Sequence, residues 1–184
     1  MLFTDETTLK LFYHKSKTWH QPGERVVVRT VKHPAKCHVW GCMPANGFGD
    51  IFIFTSNLNV KKLCYIYGKA LLPSTKRLFT GPWVLQEDND PKHKSYLATK
   101  WREDNGVKRM DWPAQSPDQN CIEHVWKILK SNVASHHPTS LKQLIRFIRK
   151  EWKNLPSNLA AKLVESVPRR LNSLIDNKGD YTLY

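Results

Sequence analysis

Short runs of apolar residues, bounded by turn-forming residues, dominate the first half of the chain. Such runs occur at 37–43, 49–55 and 83–85, and they predict strands that are covered on both faces of a sheet. A turn containing proline, asparagine and glycine separates the first two runs, which therefore predict a hairpin. Residues 1–5 should form a first strand, with 9–13 as the second arm of another hairpin.

Helical spacing of apolar residues appears in the middle of the chain. Residues 61–72 carry apolar side chains four positions apart, and this helix should end before Pro73, because proline disrupts a helix interior. Asp90 followed by proline predicts the start of a second helix. That helix should end at about Asn105, where an Asn-Gly pair stops it. A short strand at 107–111 should follow.

From Asn120 onward the pattern is helical. Asn120 should cap a helix with an apolar stripe, a second helix should begin near residue 141, and a third helical region should cover 158–177. All these elements predict an α/β fold, a mixed five-stranded sheet with helices on both faces. At 184 residues the chain fits a core of residues 1–134 and a basic helical extension of residues 135–184 packed on it.

Two acids occupy positions where ligands commonly bind. Asp88 follows the 83–85 strand at its C-terminal end, the edge at which open α/β sheets place their ligands. Glu123 lies in the first turn of the helix that Asn120 caps. Each acid also has a structural interpretation, Asp88 as a turn residue and Glu123 as a capping-box partner, and the local pattern leaves both open. Glu87 should point to the face opposite Asp88, so we do not count it as a ligand.

Three short motifs carry acids in a fixed order along the chain. They are Thr4-Asp5-Glu6, the segment 88–93 reading Asp-Asn-Asp-Pro-Lys-His, and the segment 120–123 reading Asn-Cys-Ile-Glu. Thirty-four residues separate Asp88 from Glu123, and the segment 112–118 reads Trp-Pro-Ala-Gln-Ser-Pro-Asp. These motifs resemble the catalytic domain of the Tc/mariner superfamily of cut-and-paste DNA transposases, and both the interval and the last segment are typical of its Tc-like branch.

The resemblance implies a ribonuclease H-like fold of the retroviral-integrase kind, in which the first and fourth strands lie side by side. Asp5 would then lie next to Asp88, and Glu123 would reach in from its helix. These three acids are the implied catalytic residues and metal ligands, holding two Mg²⁺ or Mn²⁺ ions about 3.5 to 4 Å apart, with Asp88 as the bridge. The implied activity is metal-dependent strand cleavage and strand transfer at DNA phosphodiesters, as in DNA transposition and integration.

The sequence departs from the family pattern at two places. Only four residues precede Asp5, which predicts a shortened first strand, an N-terminally truncated core and no helix-turn-helix region for recognising transposon ends. Cys121 stands where the family commonly has proline. These departures leave open an alternative, a catalytically inactive DNA-binding module derived from a transposase. A ribonuclease H or a Holliday-junction nuclease fits the motifs less closely.

The charge of the chain indicates the kind of partner. A formal net charge of +13 and an isoelectric point near 9.7 favour a polyanion, and with the resemblance they favour DNA. We predict DNA contacts, with a merely solvated basic surface as the alternative, at Lys92, His93, Lys130, Lys142, Arg146, Arg149 and Lys153. A homodimer is compatible with the sequence.

Cysteine spacing and hydropathy argue against other classes of protein. The four cysteines form no C-x-x-C pair, so we expect neither a disulfide framework nor a structural zinc site. The sequence has no apolar run long enough to span a membrane, and Asp5 and Glu6 interrupt the place of a signal peptide. We expect no membrane partner and no small-molecule cofactor, and a nuclear location follows only from the inferred DNA substrate.

Overall fold

A four-stranded mixed sheet forms the centre of the fold. The computed structural model describes residues 1–11, 32–112 and 119–177. Its strands are β1 (Leu2–Lys10), β2 (Lys36–Met43), β3 (Phe52–Phe54) and β4 (Leu85–Gln86), and they lie side by side in the order β3-β2-β1-β4. The predicted hairpin of the second and third strands is confirmed, since β2 and β3 are antiparallel. β1 is antiparallel to β2 and parallel to β4.

Helices cover both faces of this sheet, as the sequence predicts. They are α1 (Val60–Ile66), α2 (Leu72–Leu78), α3 (Pro91–Lys94), α4 (Tyr96–Asp104), α5 (Ile122–Ser135), α6 (Leu141–Lys153), α7 (Ser157–Glu165) and α8 (Val167–Asp176). Among the described residues, no helix combines the length and the apolar character that crossing a membrane requires.

Successive residues of β1 enter two hydrophobic clusters, because strand side chains alternate between the faces of a sheet. Phe3 packs with buried residues of α5 and α6 on one face. Leu2 packs with buried residues of α1 and α4 on the other. Leu144 and Ile148 of α6 belong to the first cluster, so residues from the predicted C-terminal extension build the same core as β1.

The first strand is longer than the sequence predicts. Residues 9–13 were expected to form the second arm of a hairpin, but β1 continues without a turn to Lys10 and its antiparallel partner is β2; residues 12 and 13 lie outside the described residues. The prediction was wrong because Thr7 and Thr8 favour extended backbone and no turn-forming residue follows Asp5. Asp5 therefore lies within a nine-residue strand.

The helix that was expected to end before Pro73 continues to Leu78. A π-helical turn, Tyr67–Leu71, joins α1 to α2, and the Leu72 N–H donates to the Tyr67 carbonyl five residues earlier. This wider turn ends the regular α-helical bonding before the proline, which then lies in the first turn of α2. Proline is tolerated in a first turn because the N–H groups of that turn have no hydrogen-bond acceptor within the helix, so proline removes no hydrogen bond.

The predicted fifth strand is reduced to one bridge in the part of the chain that the structure describes. Arg109 forms an isolated parallel bridge with Leu85, with hydrogen bonds from the Leu85 N–H to the Lys108 carbonyl (2.8 Å) and from the Met110 N–H to the Leu85 carbonyl (2.7 Å). Gly106, at φ 64°, ends the turn after α4. Few residues after it are left to form the hydrogen bonds of a longer strand beside β4. Most of the segment 112–118, whose sequence is typical of the Tc-like branch, lies outside the described residues.

Candidate active site

Asp5 lies in the middle of β1, on the central strand pair of the sheet. It is the cross-strand partner of Gly41 on β2. Its side chain shares the sheet face of Phe3, which packs against α5. From that helix the indole Nε1–H of Trp126 donates a hydrogen bond of 2.9 Å to Asp5 Oδ2.

The carboxyl group of Asp5 is held in an environment that disfavours its charge. Burial raises the pKa of Asp5 well above its ordinary value, and the nearby carboxylates of Glu123 and Glu6 raise it further. The backbone N–H of Glu6 and the indole of Trp126 act in the opposite direction, but both of these donors are neutral. The site therefore concentrates negative charge around a half-buried acid.

Asn120 places Glu123 beside this acid. Its side-chain Nδ2 donates to the Thr4 carbonyl at 3.1 Å, and its Oδ1 accepts from the Ile122 N–H at 3.3 Å. One buried side chain thus joins the start of α5 to the residue that precedes Asp5 on β1. Glu123, in the first turn of α5, is brought close enough for its charge to raise the pKa of Asp5.

Asp88 follows the end of β4 at the edge of the sheet that borders β1. β4 pairs with β1 as Leu2 with Leu85 and Phe3 with Gln86, and the Thr4 hydroxyl donates to the Gln86 carbonyl at 3.0 Å. Two residues beyond the end of this pairing, the same offset would align Asp88 with Asp5, whereas the carboxylates that raise the pKa of Asp5 are those of Glu123 and Glu6. The Asp88 side chain is 56% exposed, and its Oδ1 accepts from the Asp90 N–H at 3.0 Å.

Glu87 forms a buried polar cluster behind Asp88, on the opposite face of the sheet. Its carboxylate, 1% exposed, accepts from Arg102 Nη1 (2.8 Å), Arg109 Nε (2.9 Å) and the Tyr67 hydroxyl. It also lies 2.9 Å from His93 Nδ1. The sequence predicted the face on which Glu87 lies but not these partners, which come from helices and from a bridge strand elsewhere in the chain.

His93 lies between this cluster and Asp88. Burial alone lowers the pKa of His93, but the carboxylates of Glu6 and Glu87 outweigh burial and raise it to about 10, so the ring is an imidazolium at neutral pH. Its Nε2 is 3.4 Å from Asp88 Oδ1 and 3.6 Å from Glu6 Oε1. Although the sequence indicated a DNA contact, His93 is 2% exposed and faces three carboxylates inside the protein, because the chain turns inward after Pro91.

The comparison with known proteins decides the family. Residues 1–145 match the DDE superfamily endonucleases, a span that contains Asp5, Asp88 and Glu123. The chain belongs to this family.

Relatives and solved structures agree with this family. The Tc1 transposase of Caenorhabditis elegans is 30% identical, over 100% of this chain and 70% of its own length, and the Tcb1 transposase of Caenorhabditis briggsae gives the same values. A Mos1 strand transfer complex superposes with a TM-score of 0.85 at 14% identity, over 98% of this chain and 55% of the Mos1 chain. The Mos1 mariner transposase catalytic domain superposes with a TM-score of 0.79 at 13% identity, over 98% and 83%.

These matches confirm the resemblance to Tc/mariner transposases and the ribonuclease H-like fold. The chain is a DDE transposase catalytic domain, and it spans little more than half of the Mos1 chain in the strand transfer complex. In the four-stranded sheet of the described residues, Asp5 lies on β1, between β2 and β4.

The acids are suited to a hard divalent cation. Among the described residues, no three His, Cys, Asp or Glu side chains are grouped so that they could hold a metal ion together. Carboxylate oxygens are nevertheless the ligands that Mg²⁺ and Mn²⁺ prefer, and a cation would offset the repulsion that raises the pKa of Asp5. Asp88 is exposed, and its Oδ1 accepts from the Asp90 N–H and lies 3.4 Å from His93 Nε2.

A row of basic side chains follows one exposed side of α6. Lys142, Arg146, Arg149 and Lys153 are all exposed, whereas the opposite side of α6 is buried on the sheet face that also carries Asp5. Two other predicted DNA contacts are more restricted. Lys130 is half-buried, and Lys92 Nζ forms an ion pair of 2.5 Å with Asp90.

Proposed function

We propose that this domain cleaves DNA strands and joins them to new ends by metal-dependent phosphoryl transfer, with Asp5, Asp88 and Glu123 as metal ligands. The observation that carries the proposal is the convergence of two acids from distant parts of the chain. Trp126 and Asn120 hold α5 against β1, so that Glu123 approaches Asp5. The parallel pairing of β1 with β4 supports Asp88 as the third acid, because β4 ends two residues before it, beside the strand of Asp5.

Each acid has a protein partner that limits its movement. Asp5 is held through Oδ2 by the indole of Trp126, and Glu123 is held through the start of its helix by Asn120. Asp88 is held through Oδ1, which accepts from the Asp90 N–H and lies 3.4 Å from His93 Nε2. These carboxylates would hold a divalent ion, which would supply Lewis acidity for activating a water or a 3′-hydroxyl and for stabilising the leaving oxygen.

Two ions, Mg²⁺ or Mn²⁺, are the cofactor that we propose. Support comes from the oxygen ligands themselves and from Mos1 paired-end complexes, which have been solved with Mn and with Mg. Two ions would serve the attacking and the leaving oxygen separately.

DNA is the proposed substrate and partner. The net charge of +13 favours binding to phosphates of any sequence, and the basic row of α6 lies on the same side of the sheet as Asp5. The Mos1 relatives were solved as strand-transfer and paired-end complexes, which supports a homodimer that brings two DNA ends together. A nuclear location follows from the proposed substrate.

Nicking of supercoiled plasmid by the purified chain in Mg²⁺ or Mn²⁺ tests this function. The parent should nick the plasmid, and Asp5→Asn, Asp88→Asn and Glu123→Gln should each abolish nicking. Glu103→Gln, which neutralises an exposed acid of α4, should retain it. A folded parent that shifts DNA in a salt-sensitive way without nicking it would instead identify a catalytically inactive DNA-binding module.

A further inference from the structure

Trp126 occupies a defined place between the acids of the site. It is 1% exposed and lies three residues after Glu123 on α5, so both side chains leave the helix on the same side. Its indole Nε1–H donates to Asp5 Oδ2 at 2.9 Å. One helix therefore presents a carboxylate and a neutral hydrogen-bond donor to the same acid of β1.

The position of this indole is fixed by its surroundings. Gly41 lies opposite Asp5 on β2, and a Cβ atom at that residue would be 2.7 Å from Trp126 Cη2 and 3.1 Å from Trp152 Cη2. The rings of Trp126 and Trp152 pack with their centroids 5.4 Å apart. Trp152 is itself held by a hydrogen bond of 2.9 Å from its Nε1–H to the Gly49 carbonyl. The Trp126 N–H therefore belongs to a closely packed pair of rings. If the Asp5 carboxylate rotates, this N–H cannot move with it.

An indole is well suited to orient a carboxylate that binds a metal. Its N–H is only a donor, so it orients Asp5 without competing for a cation. Because the indole is neutral, it leaves the carboxylate charge available, whereas an arginine or lysine would neutralise it. One N–H occupies one of about four lone-pair positions of a carboxylate and leaves the others for a metal.

We propose that Trp126 is a positioning residue of the metal site, which fixes Asp5 through Oδ2 so that its remaining lone pairs face the cation. This role rests on the proposed function, since it needs a metal at Asp5. Mutation of a residue that hydrogen-bonds a metal ligand typically weakens metal binding by about 10- to 100-fold. Loss of the indole N–H should therefore weaken Mn²⁺ binding by about that factor.

Mn²⁺ binding to the DNA-free protein, followed by electron paramagnetic resonance, tests the role separately from catalysis. Trp126→Phe removes the N–H and keeps an aromatic ring, and it should raise the Kd for Mn²⁺ by about 10- to 100-fold. The matched control is Trp83→Phe, which trims an indole that stacks on Phe79 in the other hydrophobic cluster and should leave the Kd almost unchanged. In plasmid nicking, Trp126→Phe should raise the half-saturating Mg²⁺ concentration more than it lowers the maximal rate.

Two outcomes separate the two proposals. A folded Trp126→Phe protein with parental Mn²⁺ affinity would overturn the positioning role and leave the metal site intact. A parent that binds no Mn²⁺ would overturn both. If Trp126→Phe does not fold, β-(3-benzothienyl)alanine can be placed at position 126 and at no other position. It replaces the indole N–H by sulfur with little change of shape, and it should weaken Mn²⁺ binding by the same 10- to 100-fold.

Discussion

Replacing Glu87 by glutamine should destabilise the protein far more than a typical loss of an ion pair. The substitution keeps the size of the side chain and removes its charge, while the two arginines and the histidine that surround it remain. Arg102, whose side chain is 6% exposed, would then be a buried cation without a carboxylate. Breaking a buried ion pair by removing one partner costs about 3–5 kcal/mol.

Glutamine still accepts a hydrogen bond, so we expect a loss near the lower end, about 3 kcal/mol. Against a total stability of about 5–15 kcal/mol for a domain, this is a large fraction. With a urea dependence of about 2 kcal/mol per molar, the unfolding midpoint should fall by about 1.5 M. Tryptophan fluorescence and far-UV circular dichroism in urea, at neutral pH without metal, would measure the shift.

The control for this measurement is Asp50→Asn. Asp50 pairs with Arg77 at 2.8 Å, but the two side chains are 48% and 55% exposed. Exposed pairs contribute at most about 1 kcal/mol, so the midpoint should fall by no more than about 0.5 M. Equal shifts for the two variants would show that the cluster around Glu87 is no more stabilising than a surface pair, and the argument from burial would fail.

Three further predictions concern pH, packing and DNA. The pKa of His93 is raised to about 10 from an ordinary value of about 6.5. Its contribution to stability is therefore complete below about pH 6.5 and is lost as the pH rises to 10; the urea midpoint of the metal-free protein should fall over this range, and His93→Gln should flatten the fall. Gly41→Ala should lower the free energy of unfolding by about 1–3 kcal/mol, because the new methyl group meets the ring of Trp126. Gly68→Ala, with no neighbour closer than 4.0 Å, is the control in the same urea measurement. Arg149→Gln should weaken DNA binding equally for all sequences, and the slope of log K against log salt should fall by about 1; an unchanged slope would remove Arg149 from the DNA-binding surface.

Local sequence patterns predicted the elements that carry the acids, because each element has its own signal. An apolar run indicated the strand before Asp88, and a capping residue followed by an apolar stripe indicated the helix of Glu123. The order of strands and helices then led to a fold with helices on both faces of a mixed sheet, as the structure has it. These features are set by residues close together in the chain.

The rest of the site depends on contacts between distant residues. Tyr67, Arg102 and Arg109 look like ordinary helix and loop residues in the sequence, and only the fold brings them to Glu87. In the sequence, Trp126 is one more apolar residue of its helix, and only the fold brings its N–H to Asp5. The continuation of the helix past Pro73 was equally hidden, because a π-helical turn has no reliable sequence signal.

The bonds from Trp126 to Asp5 and from Asn120 to the Thr4 carbonyl span 121 and 116 residues. During synthesis, the strand that carries the first acid therefore emerges long before the helix that completes its surroundings. Contacts of such long separation form slowly, since a large loop must close before they stabilise anything. A chain that stops before α5 would contain Asp5 and Asp88 and still lack an assembled site, so that cleavage of DNA would be confined to molecules whose synthesis has passed this helix.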